Sequence, residues 1–425
     1  GWSSMASDPL QNSWTYGEVN PDGFPETASS GTRAWYTDLP EPREVEKSWV
    51  QSPCFNFTGF YRPMVSLDIK RSLSRNQDGA ALQYTTDNGN NWYDAGGVND
   101  GGLNWYNSDK ILNGDGGQHT GWTAESESSE DDRWYNAAHG LDQLTWHKKV
   151  QFRIVFNSMG GDAFADGFAF DNFTIKQRSR LSVLEYFTNA NTSVCYGTDS
   201  LVRGLMKEVP ADVVDIQYHA AGSIPDKMYF DNPVPANNRG TVYGITGPPM
   251  AVLDGGNEEW PGYPQTYDFY ARPPRAADIR LRSLSAPDFK LTIEADYAPY
   301  LELSADIEAL QNLAQAERIL YVIVMEKRIA GPEYTGTNGS NSFYNVARIM
   351  IPDAAGTLFN QSWTKGQVES VHLTCDETFF SMAEDSLTLV VYLQDEITGE
   401  ILQAATIPEY SSVSTFDLHE PGTRV

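Results

Sequence analysis

Short apolar runs, alternating or continuous and rarely helical in period, set the character of this chain. Before residue 178 they recur at 63–69, 80–84, 150–156 and 167–175, between clusters of Gly, Asn, Asp and Pro. Many short strands separated by turn signals predict a β-sandwich. The pattern changes after a short basic junction at 176–180. Residues 181–187 read as a strand, 188–195 as a polar turn and 200–208 as a helix that Pro210 stops. A second strand follows at 212–219. A third, at 250–254, comes directly after Pro248 and Pro249 and ends in a Gly255-Gly256 turn. This order predicts an α/β unit. The excursion at 220–240 holds Pro225, Pro233 and Pro235 and reads as a surface loop with one helical turn. From Ser285 alternating strands resume at 289–295, 300–307, 319–326, 368–374 and 387–394, the last returning through a hairpin turn at 395–400. That is the pattern of an immunoglobulin-like sandwich. The expected fold is multidomain and mainly β, with boundaries giving 1–178, 179–284 and 285–425.

Three segments of the middle region, EYFTN at 185–189, DIQYH at 215–219 and GPPMAVLDG at 247–255, resemble the thioredoxin-like outer-membrane protein family of Bacteroidota. Members of that family often carry a CxxC pair just after the first strand. Counted from Phe187, the pair falls on Thr192 and Cys195, and the sequence there reads TSVC. A hydroxyl cannot supply the thiolate that attacks a disulfide, so the resemblance implies a thioredoxin-like fold with its redox chemistry lost. It also implies that Pro249 is the cis-proline facing the turn. FYNVARIMIP at 343–352 extends the resemblance into the last sandwich. SGTRAW at 30–35, SPCF at 52–55 and NWYN at 104–107 fall in the order seen in Bacteroidota surface modules, and DGFAFDN at 166–172 resembles the last strand of MAM-like jelly rolls, which are adhesion or recognition modules.

Charge narrows the partners. With 30 Lys plus Arg against 57 Asp plus Glu, the 425-residue chain carries a net charge of −27, which argues against nucleic acid or an anionic membrane as partner. No run reaches the ~18 to 20 apolar residues of a transmembrane helix. The start at Gly1, without a methionine, is expected of a processed secreted chain whose signal peptide has been cleaved. Cys54, Cys195 and Cys375 are one to each expected domain, which argues against a disulfide framework and leaves one bridge between domains open. The sequence holds no HExxH, GxSxG or GxxxxGK pattern, so no enzyme class is indicated.

Nine of the eleven tryptophans precede residue 150. TTDNGNNW at 85–92 resembles an Asp-box hairpin, in which Asp87 ties the turn, Gly89 supplies a positive φ and Trp92 packs beneath; its role there is structural. Trp105, Tyr106, Trp122 and Trp134 sit in polar contexts and are candidates for stacking on a sugar, with core packing as the competing reading. Asp115, Asp131 and Asp132 lie in oxygen-rich loops, and Asp166 and Asp171 flank a strand. These five are candidate ligands for a structural calcium, the one cofactor indicated, against the plainer reading of solvated acidic turns. Ser200 and Ser386, each in a DSL triplet, match the short O-glycosylation pattern of these bacteria.

The expected function is that of a non-enzymatic secreted or cell-surface protein, associated with the outer membrane and exported by type IX secretion as such relatives often are. It would serve adhesion, assembly or ligand capture, with other surface or secretion-system proteins or glycans as partners. Two alternatives stand beside it: a carbohydrate-binding module using the front tryptophans, and a single-cysteine redox role through Cys195.

Overall fold

The computed structural model describes residues 1–39, 43–112, 117–126, 133–161, 165–256, 267–268, 272–296, 300–375 and 386–407. They form two compact units that meet at Arg178 and Ser179.

The first unit contains β1 (Ser3–Ala6), β2 (Trp14–Glu18), β3 (Arg33–Thr37), β4 (Arg43–Phe55), β5 (Pro63–Ser72), β6 (Gly79–Thr85) and β7 (Tyr93–Asp94). It continues through β8 (Ser108–Leu112), β9 (Gln118–Gly121), β10 (Tyr135–Gly140), β11 (Val150–Gly161) and β12 (Gly167–Gln177). Two five-stranded sheets, β1-β4-β11-β6-β7 and β10-β5-β12-β3-β2, make the sandwich. Period-2 alternation turns Val65, Leu67 and Ile69 of β5 and Phe152, Ile154 and Phe156 of β11 into one core, as pleated strands require. The β8–β9 hairpin lies against β6, where Ala80 and Trp122 exchange backbone hydrogen bonds of 3.0 and 2.8 Å. That close approach needs Gly121, because a Cβ there would meet the Ala80 carbonyl oxygen at 2.3 Å.

The second unit begins with β13 (Ser182–Thr188), α1 (Cys195–Glu208), β14 (Val213–His219), α2 (Lys227–Asp231), α3 (Pro233–Val242), β15 (Met250–Leu253), β16 (Tyr267–Asp268) and α4 (Ala276–Ser283). β13 and β14 are parallel in direct succession, and β15 runs antiparallel on the other side of β13. Val202, Leu205 and Val209, at helical spacing, carry α1 onto Leu184 and Tyr186. The stretch at 220–240, expected as a loop, holds α2 and α3. Asp226 caps α2 by accepting from the Tyr229 N–H at 2.9 Å, and Pro233 opens α3 in the first turn, where its missing N–H costs nothing. Exposed Phe230, Val234 and Val242 had blurred the apolar face that normally betrays a helix.

β17 (Phe289–Asp296), β18 (Leu301–Ala309), β19 (Leu313–Ala330), β20 (Ser342–Ile351), β21 (Thr357–Trp363), β22 (Val368–Cys375), β23 (Leu387–Asp395) and β24 (Ile401–Thr406) complete the unit. The sheet β17-β18-β22 packs on a nine-stranded sheet that runs β16-β15-β13-β14-β20-β19-β23-β24, with β21 beside β19. The division expected at 284/285 therefore does not separate two compact bodies: one sheet takes strands from both sides of it, joined where Gln217 of β14 pairs with Val346 of β20. β19 and β23 are buried on both faces. Leu320, Val322, Leu389 and Val391 face the three-stranded sheet, while Tyr321, Ile323, Val390 and Tyr392 share a second core with Val183, Phe187, Ile216 and Tyr218.

Within that second core the side chains of Arg239 and Glu185 are both 0 % exposed. Arg239 Nε and Nη2 donate to the two Glu185 oxygens at 2.8 and 3.0 Å. The guanidinium carbon lies 4.7 Å from the ring centres of Tyr243 and Tyr321 and 5.5 Å from that of Tyr392. α3, β13, β19 and β23 thus converge on one ion pair. A second weld sits at the end of β15, where Asp254 accepts from Arg282 Nε at 2.7 Å and from the Val183 N–H at 2.7 Å. Arg180 and Arg282 each also bind Glu400 on the β23–β24 hairpin.

Removing one partner of a fully buried pair strands the other charge, at a cost of about 3–5 kcal/mol. Glu185→Leu is therefore expected to destabilise the chain by about that much in urea unfolding followed by circular dichroism. Glu185→Leu combined with Arg239→Met is expected to recover most of the loss. A double variant no more stable than Glu185→Leu would mean that the tyrosine cage, and not the uncompensated charge, dominates.

Candidate functional site

The turn after β13 and the segments around it form the candidate site. Asn189 organises the turn: its side-chain amide donates to the carbonyls of Ala220, Ala221 and Ile224 at 2.7, 3.1 and 3.2 Å, and its oxygen accepts from the Asn191 N–H at 2.7 Å. Thr192, which the resemblance set at the place of a first redox cysteine, is half-buried. Cys195 opens α1 and is 0 % exposed. Burial pushes its thiol up to about 11, despite hydrogen bonds from Thr188 and Asn189 that pull the other way. The helix N-terminus, which on its own favours a thiolate, is outweighed. The Pro248–Pro249 peptide is cis, and because Met250 pairs with Phe187, Pro249 lies beside the end of β13 where the turn departs.

A loop of the sandwich part is strapped across this turn. The Thr337 N–H donates to Asn191 Oδ1 at 3.0 Å, the Asn338 side chain to the Thr192 carbonyl at 3.0 Å, and the Asn338 N–H to the Ala190 carbonyl at 3.2 Å. Gly336 permits the approach, since a Cβ there would fall 1.9 Å from the Ala190 oxygen.

Beneath the turn is a set of buried polar groups. Asp199 accepts from Tyr186 at 2.6 Å and Thr188 at 2.7 Å, and its carboxyl is raised by burial. His219 pairs through Nδ1 with Asp226 at 2.6 Å. Burial pushes the Asp226 carboxyl up, but its contacts to His219 and the N–H groups of Ala190 and Tyr229 prevail and hold it below the usual range. These groups tie β14, α2 and the turn together, and Cys195 is shielded among them.

Next to the turn a groove of about 490 Å3 opens. Its walls are residues 220–222, the Ala236, Asn237, Gly240 and Thr241 face of α3, the 244–248 turn and Phe187. No lining residue is ionisable, and four are glycines. No local pattern marks the groove, because four separate segments build it.

The first unit places the other candidates. Asp87 accepts from the Asn91 N–H at 3.0 Å and from the Thr85 hydroxyl at 2.7 Å, which helps hold its carboxyl down to about 2. Gly89 has φ +86°, and Trp92 stacks on the guanidinium of Arg153 at 4.3 Å. These contacts fix the turn between β6 and β7. Trp105, Tyr106 and Trp122 are 6, 4 and 0 % exposed and belong to the sandwich core. They cannot present ring faces to a sugar: the Ala80–Trp122 bridge pulls their loop inward, and each polar tip is satisfied by a backbone carbonyl, of Ala95, Leu82 and Asn104 respectively. Trp134 is half-buried and donates to the Thr27 carbonyl at 2.9 Å. Asp166 accepts from the Ser72 hydroxyl at 2.8 Å and Asp171 from the Ser30 N–H at 2.9 Å, bonds that tie segments distant in the chain. Asp115, Asp131 and Asp132 lie outside the described residues. Among the described residues no group of three or more His, Cys, Asp or Glu is placed to hold a metal ion. Ser200 is exposed on α1 and Ser386 is half-buried just before β23. Among the described residues no helix is long and apolar enough to cross a membrane. Sequence reading overlooked Tyr61 and Trp146, each 51 % exposed.

No protein-family model matches this chain, and no curated protein sequence does. Among solved structures it is similar to HBP35 of Porphyromonas gingivalis at 11 % identity, with a TM-score of 0.43 over 54 % of this chain and 75 % of that one. The K1 cleaved adhesin domain of Lys-gingipain from Porphyromonas gingivalis W83 overlaps at 11 % identity and a TM-score of 0.26, covering 41 % of this chain and 90 % of that one. A domain of the outer membrane lipoprotein Omp28 from Porphyromonas gingivalis overlaps at 12 % identity and a TM-score of 0.20, covering 29 % and 88 %. Function has to be read from the residues themselves.

The three cysteines are free, with Cys54 exposed, Cys375 half-buried and Cys195 buried. Titration of the native chain with a disulfide reagent at pH 8 is expected to consume Cys54 quickly and Cys375 slowly. Cys195 is expected to react only after denaturant is added or as the pH nears 11. Rapid reaction of Cys195→Ser with one equivalent less than the native chain would contradict this.

Proposed function

We propose that this protein is a non-enzymatic secreted or cell-surface protein that captures a polypeptide partner, using a redox-inactive thioredoxin-like element as the binding part. The observation that carries the reading is an open groove beside a turn with no available nucleophile. Disulfide exchange needs an accessible thiolate and a resolving thiol. Thr192 supplies neither, and Cys195 is buried with its proton held. That buried, protonated state also leaves a single-cysteine redox role without support.

The groove's chemistry favours a peptide. Its lining is uncharged in a chain of net charge −27, so it does not repel a neutral segment of a partner. Glycines at 222, 240, 244 and 247 leave backbone groups within reach of an extended chain, and Asn237, Thr241 and Thr246 add side-chain donors and acceptors. Main-chain hydrogen bonding with a few side-chain pockets is how extended peptides are commonly held. Adhesion and assembly outside the cell both use contacts of this kind.

Two measurements test the proposal. Insulin reduction by the whole chain is expected to stay at background; turnover that disappears in Cys195→Ser would overturn the non-enzymatic reading. For the groove, Gly247→Trp is the probe, because a Cβ at Gly247 meets nothing within 4 Å and its φ lies outside the left-handed region. Peptides selected on the native chain from a displayed random library are expected to bind Gly247→Trp at least about tenfold more weakly, a loss of about 1.4 kcal/mol, with the melting temperature unchanged. A library that yields no binder, or binders indifferent to the substitution, sinks the groove reading.

A further inference from the structure

We infer that Tyr61 and Trp146, at one end of the first unit's sandwich, form a stacking site for a single pyranose ring of a neutral polysaccharide. The two rings stand at 88° with centroids 5.2 Å apart, and each side chain is 51 % exposed. Among the described residues Trp146 is the one tryptophan that is mostly exposed; the others are buried or half-buried.

Trp146 also holds a backbone conformation that its side chain disfavours. Its φ is +67°, in the left-handed region where a bulky residue is a genuine outlier and glycine is at ease. Three backbone hydrogen bonds fix it there: the Trp146 N–H to the Phe57 carbonyl at 3.2 Å, the His147 N–H to the Leu144 carbonyl at 3.1 Å, and the Phe57 N–H to the His147 carbonyl at 2.8 Å. Phe57 is itself 0 % exposed in the core, so the ring is carried on a rigid base. Tyr61 is similarly fixed, its N–H donating to Gln177 Oε1 at 2.8 Å. A tryptophan kept in a strained, solvent-facing position is not there for core packing, and strain retained at the surface points to a ligand.

Size and charge select the ligand. Half of two aromatic side chains is roughly 100 Å2 of ring surface apiece, far below the ~800 Å2 that each partner of a stable protein interface buries. An edge-to-face pair offers an aromatic face to the apolar C–H groups of one sugar ring, with the partner ring bracing it from the side. His147 and Lys148, which follow Trp146 in the chain, are exposed and carry hydrogen-bonding groups suited to hydroxyls. A net charge of −27 repels polyuronates at long range, which leaves neutral polymers.

Affinity electrophoresis of the whole chain through gels containing xylan, β-1,4-galactan, galactomannan or mixed-linkage β-glucan tests the site. Retardation is expected in at least one of the four. It is expected to fall at least tenfold in apparent affinity in both Tyr61→Ala and Trp146→Gly. Because glycine is favoured at this φ, Trp146→Gly is expected to melt no lower than the native chain, so lost binding is not lost folding. Migration unaffected by all four polymers overturns the inference, as does retardation that survives either substitution.

Discussion

A guanidinium taken wholly out of water demands a carboxylate and further polarisable neighbours, and the second unit is arranged to meet that demand at Arg239. Its partner Glu185 comes from β13, the strand that leads into the turn at 188–195. The surrounding rings come from Tyr243, just past the end of α3, and from β19 and β23 of the sandwich part. Buried ion pairs gain little net stability over apolar packing, but they tolerate few arrangements. Here the tolerated arrangement fixes α3 against both halves of the unit at once, which explains why the α/β part and the sandwich part form one body.

The same helix makes the groove. Ala236, Asn237, Gly240 and Thr241 face the open space while Arg239 points into the core. Holding α3 from behind keeps the groove formed without a ligand to prop it, and preorganised walls reduce the entropy lost on binding. The strap through Thr337 and Asn338 acts on the opposite element, locking the turn at Asn191 and Thr192. Both devices draw on the sandwich part. That dependence is the physical reason the α/β part has a rigid surface to offer, and why its buried polar groups, Asp199, His219 and Asp226, serve as struts.

What the amino-acid sequence by itself determined was local. Period-2 alternation at 63–69 and 150–156, the apolar run at 319–325 and the turn residues between strands specified β-structure, since pleat geometry couples side-chain spacing directly to burial. The turn at 188–195 followed by a helix, the proline pair before 250, and the absence of a thiol at Thr192 were equally readable, because each depends on neighbours in the chain. Tertiary structure decided everything that depends on distant segments meeting. Trp105, Tyr106 and Trp122 sit among polar residues and read as loop aromatics, yet backbone bridges between Ala80 and Trp122 and between Leu103 and Ala138 draw them into the core. No local pattern marks α3 as a helix, because its inward face is spent on an arginine whose counter-ion lies 54 residues away. The groove needs four segments brought together, and the exposed pair Tyr61 and Trp146 needs two. Local propensity is written within a few residues, whereas burial is settled only when remote surfaces compete for the same water-free space.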